Sequence, residues 1–173
     1  MIVKYTSIIG AVVAELQGQT KVGRVREVVI DNEKISLAAV ALDMPFWSFS
    51  KQQFISSIDI VHLRKNAVII NNDDAILDIN ESINLRKLVE KKSFGIGQRV
   101  RTESGTYIGQ VYDYLIETES MGITKFYVRK LLAERIIATK KIISMEGRTI
   151  KIADDFISDK INDIAMAEAS PTS

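Results

Sequence analysis

The segments VGRVREVVID (22–31) and IGQVYDYLIE (108–117) say nearly the same thing twice in one chain. Each runs as an apolar residue, a glycine, a polar position, a valine, another polar position and an acid, then three apolar residues and a closing acid. The match extends outward from there. Val13 and Gly18 answer to Val100 and Gly105, and one extra residue before Val22 in the first copy brings Thr20 onto Thr106. Downstream, Ile35 and Val40 answer to Ile123 and Val128. DIVHLRKNAVII (59–70) then aligns with KIISMEGRTIKI (141–152), setting Ile60, Leu63, Val68 and Ile70 against Ile142, Met145, Ile150 and Ile152. Order and spacing kept over so many positions identify an internal duplication, which decides the architecture before any single element does.

Within each copy the local signals are those of β-structure. Val, Ile and Tyr dominate the apolar runs, RTIKI alternates, and Gly, Asn and Ser punctuate at short intervals. LQGQT and ESGTY read as hairpin turns in which Gly18 and Gly105 take positive φ without steric cost. Gly23 and Gly109 sit just inside the following strand, where a glycine marks a bulge or tight bend. The acids Glu27, Asp31, Asp113 and Glu117 are expected to face solvent or close a turn. Short strands that fold back on themselves predict a small closed barrel, because closure removes exposed edges.

The fold class expected is therefore mainly β, with two small barrels joined by a short helical connector. Residues 1–78 form the first barrel, 79–93 the connector, 94–156 the second barrel, and 157–173 a short C-terminal helix and tail. The connector, NESINLRKLVEKK (80–92), sets Ile83, Leu85, Leu88 and Val89 among charges, with Asn80 or Ser82 as cap and about three turns of helix.

Composition removes several functions. A chain of 173 residues, 46% hydrophobic, has enough apolar material for a core. A net charge of +1, from 23 basic and 22 acidic residues, creates no global field toward nucleic acid or an anionic membrane. There is no cysteine, which excludes disulfides and thiolate chemistry. A single histidine, His62, excludes a Ser/His relay or a multi-histidine cage, and it reads as a half-buried strand residue. The pairs Asp73-Asp74 and Asp154-Asp155 each follow the last strand of a copy, as repetition alone requires. FGIGQRV lacks the third glycine and the helix of a dinucleotide site. No catalytic, cofactor or metal residue is assigned. MIVKYTSIIGAVVAEL carries no cleavage pattern, and no continuous run reaches the ~18 apolar residues of a membrane span. The expectation is a cytoplasmic protein.

The repeated motif resembles that of the PRC-barrel family, which includes a barrel of the photosynthetic reaction-centre H subunit and one of the ribosome maturation factor. VGRVREVVID and IGQVYDYLIE both carry the resemblance, so it covers two barrels plus the connector. It implies docking onto a protein or a ribonucleoprotein rather than catalysis. In this light Gly18, Gly23, Asp31, Gly105, Gly109 and Glu117 are structural motif residues.

The copies differ in two places. Val40 to Ile60 spans six residues more than Val128 to Ile142, and the excess falls in DMPFWSFSKQQF (43–54). Its Phe46, Trp47, Phe49 and Phe54 either pack onto the barrels or form a contact surface, and protein interfaces concentrate aromatic anchors. The second copy carries Arg129, Lys130, Arg135, Lys140 and Lys141, which suit RNA phosphate if they share a face and otherwise form a solvated strand edge. Two functions follow from this. One is a non-enzymatic adaptor or assembly factor that binds a protein through Phe46 to Phe54. The alternative is a ribosome-associated or RNA-binding factor.

Overall fold

In a computed structural model of the chain, the structure describes residues 1–43, 52–92 and 95–155. The chain opens with strand β1 (Ile2–Lys4) and a single helical turn, α1 (Tyr5–Ile8). Then follow β2 (Val12–Glu15), β3 (Lys21–Asp31), β4 (Ser36–Asp43), β5 (Gln53–Ser56), β6 (Ile60–Arg64), β7 (Ala67–Ile70) and β8 (Ile76–Asp78). Helix α2 (Ile83–Glu90) leads to β9 (Arg99–Thr102), β10 (Tyr107–Glu117), β11 (Ile123–Lys130), β12 (Ala133–Ala138), β13 (Ile142–Glu146) and β14 (Thr149–Ile152). The expected C-terminal helix lies outside the described residues.

The first sheet runs β6-β7-β2-β3-β4-β5-β8 and the second β13-β14-β9-β10-β11-β12, so six strands recur in the same order. The recurrence reaches the irregularities. β2 pairs in parallel with β7, as β9 does with β14. Register shifts between β3 and β4 at Val25/Glu27 and Val29/Ile30 return between β10 and β11 at Val111/Asp113 and Leu115/Ile116. Bulges bend the long strands sharply, which lets each sheet curl into a barrel-like form, but among the described residues β6 does not pair with β8 nor β12 with β13, so the closure expected is not made by strand pairing.

The two barrels are not beads on a string. β1 pairs with β10 of the second sheet, Ile2 opposite Glu117 and Lys4 opposite Leu115, although it lies within the residues 1–78 expected to form the first barrel. Asp113, one of the acids expected at the surface or at a turn, is 6% exposed instead. Its carboxylate accepts hydrogen bonds from Thr6 N (3.2 Å), Thr6 Oγ1 (2.8 Å) and Tyr114 N (2.9 Å), because α1 folds over it. Tyr5 packs on Tyr114 at 4.9 Å between ring centroids, and Tyr114 on Phe126 at 5.7 Å. At the far side Leu37 N donates to Met121 O and Ile123 N to Ile35 O, at 2.8 and 2.9 Å. One apolar cluster, including Val28, Val40, Val68, Val111, Tyr114 and Ile150, runs through both halves.

Helix α2 is two turns long rather than three, and it docks on the outer face of the first sheet. Leu85, 6% exposed, meets Val29, Ala39, Ala41 and Phe54, with Leu88 and Val89 beside it. The two alanines of β4 leave room for the helix. Ser82 caps it by accepting from Leu85 N at 3.3 Å. Before it, Asp78 accepts from Asn80 N and Glu81 reaches back to Asp78 N, a reciprocal cap that fixes the entry. Among the described residues no helix is long and apolar enough to cross a membrane.

Candidate functional site

The hairpins β6–β7 and β13–β14 each contain one residue too many on the first strand. Pairing passes from Ile60↔Ile70 to His62↔Ile69 in one, and from Ile142↔Ile152 to Ser144↔Lys151 in the other. The surplus residues are Val61 and Ile143, which occupy equivalent positions in the two copies. A bulge turns its residue out of the alternation. Accordingly Val61 is 38% and Ile143 50% exposed, apolar side chains aimed away from the core. The same bulge corrects the reading of His62, which is exposed rather than half-buried.

Both residues line one open cleft of about 2110 Å³ between the halves. Its walls come in equivalent pairs: β6 with β13, and the β3–β4 turn (Asn32–Lys34) with the β10–β11 turn (Thr118–Ser120). Helix α2, with Asn84, Lys87 and Leu88, and Lys91 just after it close one side, and Ile58, 88% exposed, adds a third exposed apolar contact. Pockets for small molecules hold roughly 300–1,000 Å³, so this cleft has the scale of a polypeptide segment.

The turns that frame it are held by the closing acids of the repeat. Asp31 accepts from Glu33 N (3.0 Å) and Lys34 N (3.1 Å). Glu117 accepts from Ser120 N and Oγ, both at 2.7 Å, from Glu119 N at 3.0 Å and from the Met1 amine at 3.4 Å. Those donors, Ser120 N foremost, hold its carboxyl at a pKa of about 2. Glu27, equivalent to Asp113, is half-buried, and desolvation raises its pKa. Both closing acids thus serve turns, as the sequence suggested.

The glycines divide. Gly105 has φ 89 as expected of a turn, whereas Gly18 does not take positive φ. The extra residue of the first copy, Gln19, takes it at φ 51. Gly18 is instead overlain by the Glu15 side chain, which accepts from Thr20 Oγ1 and would meet a Cβ there. Gly109 sits at a register shift with φ 150, and a Cβ would lie 2.5 Å from Arg129 O. Gly23 sits at the matching shift between β2 and β3, where the nearest atom is Asp43 O at 4.0 Å.

Of the aromatic contact candidates, Phe46, Trp47 and Phe49 lie outside the described residues. Phe54 is corrected: it is 2% exposed and is core, buried under α2. The basic residues do not form one face. Arg129, Lys130 and Arg135 sit at one end of the β11–β12 hairpin, and Lys140 and Lys141 follow its other end. Arg129 is paired with Glu134 and Lys141 with Asp155. Asp154 accepts from Ser104 N and Oγ. The strand bulge that makes the cleft was missed from sequence. Its only trace there was that Val61 and Ile143, apolar residues flanking core positions, fall on each other in the alignment.

The profile of the PRC-barrel domain matches residues 1–77. Among curated proteins none matches the chain.

Proposed function

Residues 1–77 are a PRC-barrel domain and its strand order recurs in the second half; from this premise we propose that the protein is a non-enzymatic adaptor that binds another protein in the cleft between its barrels. The observation that carries the reading is the duplicated bulge, which points Val61 and Ile143 into a common cleft. Each such side chain, once covered, contributes about 1–2 kcal/mol, and exposing it in the free protein has no benefit to the fold.

The rim supports a protein rather than a nucleic-acid occupant. Glu33, Lys34, Glu81, Lys87, Glu119 and Glu146 mix both signs around the apolar contacts, the pattern of a polar interface rim, whereas phosphate readers concentrate cations. The cleft is bounded by elements of both halves tied together through β1, Asp113 and the shared core. A rigid two-walled site of this kind binds without a large ordering cost.

The test is affinity capture with the double variant Val61→Asp, Ile143→Asp, at low and high salt and with nuclease. Capture of a specific protein that survives nuclease and salt, and is lost in a variant that melts within a few degrees of the parent, is the expected result. Capture unaffected by the double substitution, or lost on nuclease treatment, would remove the cleft as the site.

A further inference from the structure

The β11–β12 hairpin is an arm at one edge of the second sheet, with β12 as its edge strand, and its turn lies level with the start of β10: Gln110 pairs with Arg129, and Lys130 Nζ donates to Tyr107 O. Val128, fully buried, pairs with Arg135 in the last rung that reaches the core; beyond it come Arg129↔Glu134 and Lys130↔Ala133, and then the turn Leu131–Leu132. There Leu131 is 88% and Leu132 100% exposed.

This turn breaks two local rules together. Two-residue hairpin turns need positive φ at the first central residue and favour Gly, Asn or Asp there. Leu131 has φ 54, a conformation that costs an L side chain about 1–2 kcal/mol. Two bulky apolar residues occupy the most exposed place on the arm, where neither gains anything from the fold. Such a conflict at one spot marks selection for something other than folding.

The collar below the tip is cationic. Arg129 stacks over the Tyr112 ring at 4.3 Å. Lys130 Nζ lies 5.4 Å from the Tyr107 ring and donates to Tyr107 O at 3.2 Å, and Arg135 donates to Ile108 O at 3.2 Å. The one acid on the arm, Glu134, is engaged by Arg129. Glu103 and Asp154 lie at the same end of the barrel but on the side of β9 and β14, with Asp154 turned onto Ser104.

We propose that this arm seats the protein on an anionic lipid surface. Leu131 and Leu132 enter the boundary between headgroups and acyl chains, while Lys130 and Arg135 meet lipid phosphates and Tyr107 rests at headgroup depth. A convex tip of two leucines, ringed by charge and without a wider apolar field, suits a medium that deforms around it. A protein interface would surround its apolar centre with further packed contact.

The experiment is co-sedimentation of the full chain with phosphatidylcholine vesicles and with vesicles that also contain phosphatidylglycerol. The parent is expected to partition onto the anionic vesicles and to release as salt rises. Leu131→Gly combined with Leu132→Asn is expected to reduce partitioning roughly tenfold or more while raising the melting temperature, since it removes apolar contact and relieves the turn. Lys130→Gln is expected to reduce it about fivefold. Equal partitioning of the Gly-Asn variant, binding to neither vesicle, or binding that ignores phosphatidylglycerol would each overturn the proposal. The first of these would indicate attraction by charge elsewhere, and the second would leave a protein pocket as the recipient of the tip.

Discussion

At Gly109 the backbone of β10 passes so close to β11 that a single added carbon would sit 2.5 Å from Arg129 O and 2.8 Å from its carbonyl carbon. Backbone cannot swing aside as a side-chain tip can. Gly109→Ala is therefore expected to cost about 2 kcal/mol or more, a drop of roughly 4–8 °C in the melting midpoint for a chain of this size. Gly23→Ala, at the equivalent site with open space around it, is expected to be neutral or stabilising by about 0.5 kcal/mol. Equal losses at both would show that the glycines serve the repeat motif in some shared way. Asp113 gives a second contrast at this scale. Asp113→Ala strands one buried donor, Tyr114 N, and two part-buried ones on Thr6, and is expected to cost about 2 kcal/mol, whereas Asp113→Asn keeps an acceptor oxygen and costs less. Both positions looked alike in their two copies on paper. The alignment matched types of residue, but only the approach of β11 and the folding of α1 over Asp113 make one member of each pair demanding.

At the scale of elements, the β10–β11 turn carries its own titration. Glu117 is held at about 2, below its ordinary 4.5, by hydrogen bonds to the charged form. A depressed carboxyl stabilises the fold at pH above its unfolded value and loses that contribution as pH falls toward the folded one. Thermal melts between about pH 4.5 and 2 should thus fall less steeply for Glu117→Gln than for the parent, and parallel curves would contradict the assignment. Helix α2 was legible in sequence through Leu85, Leu88 and Val89, and Ser82 was a named cap. That it docks was not legible, because the small residues receiving it, Ala39 and Ala41, lie far off on β4. The strands themselves were legible through alternation and turn residues, and the repeat implied that one copy's strand order would recur in the other, but not what that order is. The bulges at Val61 and Ile143 were hidden, since one extra residue in a short hairpin leaves a pattern that still reads as alternation. Phe54 was misread for a related reason: adjacency to Phe46 and Trp47 in sequence grouped it with a connection, whereas pairing with Ala41 and Leu77 places it in the sheet.

For the whole molecule, the duplication has been built into one body instead of two. The first strand of the chain completes the second sheet, the Met1 amine meets Glu117, and a single apolar cluster spans both barrels. Unfolding is accordingly expected to be one cooperative transition, with calorimetric and van't Hoff enthalpies in agreement; two separable transitions would deny the shared core. This unity matters for the proposed function, because the cleft has walls from each half and keeps its shape only while they stay together. The central claim is that Val61 and Ile143 address the same bound protein. A photo-crosslinking residue placed at 143, in an otherwise native chain, tests it most directly when combined with Val61→Asp. One protein cross-linked from position 143, the same one cross-linked from position 61, and its loss from 143 when Val61 is replaced are expected. Different proteins at the two positions, or cross-linking at 143 untouched by Val61→Asp, would contradict it.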